Sequence, residues 1–112
     1  MIITQANLND AKEILALQML AYQREGERYN DFTIPPLTQT LEEIQADFQK
    51  MLFLKAVLDD KIIGSVRAYV DVGTCFIGRL IVHPDFQNRG IGTKLMHKIE
   101  DRFKEVERFE LF

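Results

Sequence analysis

The sequence contains a single cysteine, Cys75. That excludes an internal disulfide and suits a reducing cytosol, so a cytoplasmic location is expected. No Cys/His spacing matches a metal site: His83 and His97 stand alone, and no bound metal is expected. No apolar run approaches the ~20 residues of a membrane span. The N-terminus, MIITQANLND, lacks a basic region followed by an apolar stretch, so no signal peptide and no membrane partner are expected. Positive charge is not in excess either. With 14 Lys and Arg against 17 Asp and Glu the net charge is −3, which removes the global basic field that nucleic-acid binding would use. Internal repeats, low-complexity tracts and linkers are also missing. What remains is a chain of 112 residues, 46% hydrophobic and 28% charged, as befits one globular domain over residues 1–112.

The apolar pattern divides the chain into elements. Residues 1–6 read as a short strand. Asp10, with Glu13 in capping-box position, opens a helix to about Arg24 whose wide apolar face carries Ala11, Ile14, Leu15, Leu17, Met19, Leu20 and Tyr22. Residues 25–39, punctuated by Gly26, Pro35 and Pro36, read as an irregular connection. Thr40 and Glu43 form a second capping box, followed by Leu41, Ile44, Phe48 and Met51 at helical spacing. The period then changes. Residues 52–58 and 61–70 read as strands of a hairpin across Asp59-Asp60. Residues 71–74 are a second turn, and 75–82 form a strand apolar enough to be buried on both faces. From Gly90 a helix turns Ile91, Leu95, Met96, Ile99 and Phe103 inward, and residues 107–112 start another strand. The order β-α-α-β-β-β-α-β implies an α/β (α+β) domain with a mixed sheet. Its middle strands run antiparallel, and the last lies parallel to 75–82.

The stretch Val82-His83-Pro84-Asp85-Phe86-Gln87-Asn88-Arg89-Gly90-Ile91-Gly92-Thr93 joins that strand to the helix. A helix N-terminus offers unpaired N–H groups and partial positive charge, which suits an anion such as phosphate. Two glycines keep side chains away from those amides, and Arg89 and Lys94 add charge. A G-x-G pair serves a plain tight turn equally well. Leu95 stands where the third glycine of a dinucleotide fingerprint belongs, and no Gly-Lys-Ser/Thr ending makes it a Walker loop.

The run LIVHPDFQNRGIGTKLM resembles motif A of the GNAT N-acetyltransferases, whose pyrophosphate loop reads Q/R-x-x-G-x-G/A and stands here as Gln87-x-x-Gly90-x-Gly92. The Val-His-Pro lead-in and the order of elements agree. The resemblance implies the GNAT acyltransferase fold, acetyl-CoA as cosubstrate and transfer of acetyl to a primary amine, small molecule or peptide. It implies that the backbone of Leu80, Ile81 and Val82 pairs with the pantetheine arm. Gln87 would open the loop, and the amides of Asn88, Arg89, Gly90, Ile91, Gly92 and Thr93 would hold the pyrophosphate. Acidic residues in the connection, Glu25, Glu27 and Asp31, would then favour a cationic acceptor.

Two departures stand out. Gly78 and Arg79 occupy the neighbourhood where many members of that family carry a glutamate base, and arginine is no base near neutral pH. Asp71 and Glu110 are weak substitutes, and the catalytic residues are left unassigned. The family also continues with a further helix and strands that usually bring a tyrosine acid, so the chain reads as C-terminally incomplete. Phe109, Leu111 and Phe112 would then border an uncovered sheet edge, which implies a homo-dimer or swapped assembly. The rival readings are a CoA-binding module without turnover and an inactive fragment acting through partner or self-association. Cys75 reads as core, and His83 as the end of its strand.

Overall fold

Five strands form one sheet in the order β1-β2-β3-β4-β5, in a computed structural model that describes all residues, Met1–Phe112. They are β1 (Ile2–Gln5), β2 (Leu52–Leu58), β3 (Lys61–Asp71), β4 (Thr74–Val82) and β5 (Arg108–Leu111). The first four pair antiparallel and β5 runs parallel to β4; the directions of β2 to β5 are as the element order implies, and the pairing of β1 with β2 is added by the structure. Helices α1 (Ala11–Tyr29), the short α2 (Pro35–Thr38) and α3 (Leu41–Lys50) precede β2, and α4 (Ile91–Arg102) links β4 to β5. No helix is long and apolar enough to cross a membrane.

Each sheet face carries one core. Ile91, Leu95 and Ile99 of α4 pack with Leu54, Ala56, Ile63 and Ala68 on one side. Ala11, Ile14, Leu17 and Ile44 cover Phe53, Ile62 and Ile81 on the other. Burying a side chain of this size stabilises by roughly 1.5–3 kcal/mol. Three such residues therefore hold α4, and with it the loop at its N-terminus, firmly against the sheet.

The connection read as irregular over 25–39 contains α2, with Pro35 in its first turn. The structure departs from the sequence-based reading in three further places. First, α1 does not stop at Arg24 but runs through Gly26 to Tyr29. The ring of Phe32 packs where a Cβ on Gly26 would sit, at 2.7 Å, so tertiary packing outweighs the ~1 kcal/mol a helical glycine costs. Asn30, left-handed at φ +50°, closes the helix: its N–H donates to Glu27 O, and Asp31 N–H donates to Gly26 O. Second, the capping box lies one turn earlier, between Asn7 and Asp10. Glu13 instead accepts the Ile62 N–H at 2.8 Å, pinning α1 to β3. Third, β4 is not buried on both faces throughout. Leu80 is 40% exposed, because the strand bulges at Arg79 (φ +50°) and no strand flanks its second half on the β5 side.

The Asp59-Asp60 hairpin is as expected, both residues left-handed at φ +50° and +63°, the type I′ pattern. The second turn uses Val72-Gly73 at φ +45° and +77°. A β-branched residue is strained there, and Val72, 92% exposed, packs against nothing in return. Val72→Asn is therefore expected to stabilise the fold by about 1 kcal/mol, measured as a rise in the urea midpoint at unchanged slope.

Candidate functional site

At the end of β4, His83 Nδ1 accepts the Asp85 N–H at 3.1 Å and caps the single turn Pro84–Phe86. Its ring meets Phe86 edge-on. His83 thus positions the turn. Asn88 (φ +64°) and Gly90 (φ +77°) are both left-handed, an alternation that makes neighbouring amides converge on one point. Gly90 is the N-cap of α4 and gives no side-chain cap. The first intrahelical bond is Lys94 N–H to Gly90 O at 3.0 Å, so the N–H groups of Ile91, Gly92 and Thr93 have no helical acceptor.

Eight of the ten residues expected from the sequence (Leu80, Val82, Gln87, Asn88, Gly90, Ile91, Gly92 and Thr93) line one open groove of about 400 Å³, with Phe86 as an added wall. The other two do not line it with their side chains. Ile81 is buried in the α1-side core, leaving only its backbone available, and the guanidinium of Arg89 lies over the Phe86 ring. Parallel pairing of β5 with β4 covers Thr74 to Ile77 and ends with Phe112 N–H donating to Ile77 O at 2.8 Å. Ile81 and Val82 pair with Ser65 and Gly64 of β3. Their other edge is open, so unpaired peptide groups border the groove. A Cβ on Gly92 would project toward Leu80 and Val82 (3.7 and 3.9 Å), and one on Gly90 would meet nothing within 4 Å. The glycines therefore keep room beside the amides and are not needed for packing, which fits a diphosphate with a peptide-like arm.

On the α1 and α3 side of the bulge lies a polar cluster that sequence reasoning missed. Arg67, 2% exposed, donates to Gln18 Oε1 (2.7 Å), Asp47 Oδ2 (3.1 Å) and Gln39 Oε1 (3.3 Å), and its guanidinium lies over Phe53. Burial, and then repulsion from Arg79, pushes the Arg67 guanidinium down to about 10, with Asp47 opposing. It therefore stays charged at neutral pH. Gln39 Oε1 also receives Gln18 Nε2 (3.0 Å) and Arg79 Nη1 (3.0 Å), while its amide donates to Asp47 Oδ2 (2.8 Å). Tyr22, half-buried, lies within electrostatic reach of Arg79, Glu25 and Arg67, and burial holds its phenol above the usual range. Two signals for this cluster exist in the sequence: Gln18 interrupts the apolar face of α1, and Arg67 interrupts an apolar strand.

The weaker sequence candidates do not converge on the bulge. Asp71 sits at the far end of β3, opposite Thr74. Glu110 is exposed opposite Phe76, with Arg108 at 3.8 Å. Cys75 is fully buried and its thiol is pushed up by that burial, which makes it inert. Glu25 and Glu27 share a surface groove with Arg24 and Arg28, so that groove is of mixed charge.

Comparison with known proteins agrees with this geometry. The model of the acetyltransferase (GNAT) family matches residues 12–112. The UPF0157 protein YqkA of Bacillus subtilis (strain 168) is 33% identical over 101 residues, 90% of this chain. The match spans only 29% of that relative's length. Among solved structures, a tetramutant of the BH1408 protein from Bacillus halodurans superposes with a TM-score of 0.82 at 24% identity, covering 100% of this chain and 82% of that one. The PaiA N-acetyltransferase of Thermoplasma acidophilum, solved with coenzyme A, gives 0.77 at 16%, covering 92% and 71%. At these identities the two structures establish the fold.

Proposed function

Since the chain belongs to the GNAT acetyltransferase family, we propose that it transfers the acetyl group of acetyl-CoA directly to a primary amine. The observation that carries this is the groove bordered by the open edge of β4 and the unpaired amides that start α4. Bound acetyl-CoA supplies an activated thioester acetyl. The chain's part is to bind and orient. The amides of Asn88 to Thr93 hold the diphosphate, helped by the α4 dipole, and the backbone of Leu80, Ile81 and Val82 pairs with the pantetheine arm. Followed back from the loop, that edge leads to Arg79, where the acceptor amine is expected, and then to Gly78, which the ring of Phe112 covers. Neither residue takes a proton, so the acceptor reacts as its already neutral fraction.

The test is a calorimetric titration with acetyl-CoA, followed by thiol release against a panel of amines. Saturable binding, and a rate that rises with pH up to the acceptor amine's own pKa, are expected. A folded sample that binds no acetyl-CoA would end the proposal. Binding without thiol release from any amine would favour the second reading, a CoA-binding module, which the absence of a carboxylate at Gly78-Arg79 supports. A cytoplasmic location fits the single buried thiol. A homo-dimer across β5 would cover Leu111 (76% exposed) and Phe112 (54%); a strictly monomeric species in sedimentation at micromolar concentration counts against it.

A further inference from the structure

We propose that the acceptor carries a carboxylate beside its amine, as an amino acid does, and that Arg79 binds this carboxylate and thereby sets acceptor specificity. The inference rests on the acetyltransferase reading above and deepens it.

Charge is the first observation. Two guanidinium groups, Arg67 and Arg79, face the cluster, and one carboxylate, Asp47, is committed to Arg67 and Gln39. Glu25 is exposed and forms no ion pair with either arginine. Arg79 therefore has no anionic partner in the chain. Hydrogen bonding is the second. Arg79 donates Nη1 to Gln39 Oε1, yet that oxygen already receives Gln18 and Arg67. An amide oxygen has two lone pairs, so three donors, two of them cationic, share too few. A carboxylate reaching Arg79 would relieve that crowding and accept two N–H bonds from its planar fork. Position is the third. Arg79 occupies the bulge, φ +50°, just past the last β4–β5 pair. It is only half-buried, and it stands where the open edge of β4 leads away from the loop. An arginine that merely tethered residues 35–39 would not need that position.

The experiment is thiol release from acetyl-CoA by the full chain with the common L-amino acids and with their carboxamides, corrected for the neutral amine fraction. For the best acceptor, kcat/KM is expected to favour the acid by at least about 10-fold, the range of a hydrogen bond to a charged group. Arg79→Gln is expected to bring that ratio close to one. Arg79→Lys, which keeps the charge but loses the fork, should retain part of it and guards against a folding defect. Amides that serve as well as acids, or a ratio unmoved by Arg79→Gln, would overturn the assignment. If no amine releases thiol, the acetyltransferase reading falls separately. Calorimetry of the same acids then decides the arginine: binding weakened by Arg79→Gln upholds it, and no binding, or binding the variant leaves unchanged, removes it.

Discussion

Gly92→Glu is expected to raise the Kd for acetyl-CoA by at least about 100-fold, close to 2.7 kcal/mol, while the protein stays folded. The side chain would start in the space facing Leu80 and Val82, fill the groove and bring a negative charge to the amides proposed to hold the diphosphate. The fold should tolerate it, because Gly92 lies in the first turn of α4, where glutamate suits the helix dipole. Gly90→Ala is the matched control. Its Cβ meets nothing, but φ +77° costs a non-glycine residue roughly 1 kcal/mol, so stability falls modestly without a blocking group. An unchanged Kd in Gly92→Glu would remove the loop from the binding site.

The second large effect is structural. Asp47→Ala takes away the only carboxylate paired with Arg67 and leaves a guanidinium that is 2% exposed without its counter-charge. Stranding a buried charge in this way costs roughly 3 kcal/mol, which for a domain of this size is a fall in Tm of roughly 10–15 °C. Adding Arg67→Met should restore much of the loss, because replacing both members of a buried pair is close to neutral. A single variant that lost under 1 kcal/mol, or a double variant no better than the single, would show that Asp47 does not carry the balance of the cluster.

Much of the proposed site was legible in the sequence. The loop residues are consecutive and obey local rules: a strand that ends at Val82 just before Pro84, two glycines, a helix whose apolar face begins at Ile91. Glycine spacing and helix-end chemistry act over a few residues, so the stretch from Gln87 to Thr93 could be read as it stands. The directions of β2 to β5 were legible for the same reason, since short turns at Asp59-Asp60 and Val72-Gly73 make antiparallel neighbours and the single helix α4 returns β5 parallel to β4. The antiparallel pairing of β1 with β2, across three helices, was not. The end of α1 was not legible. Gly26 looks like a breaker, and it is helical with Phe32 and Leu37 packed closely on it.

The polar cluster belongs to the second kind of fact. Gln18, Gln39, Asp47, Arg67 and Arg79 come from α1, the segment before α3, α3 itself, β3 and β4, and nothing in their spacing brings them together. The sequence alone determined the element order, the family resemblance and the glycine-opened start of α4, because each rests on contacts between near neighbours in the chain. Tertiary structure alone decided that Arg67 is buried against a single carboxylate, that Arg79 sits left-handed in a bulge without one, and that His83 is spent on a cap. Those outcomes depend on which distant side chains share a low-dielectric space, and only the packed sheet and helices determine that.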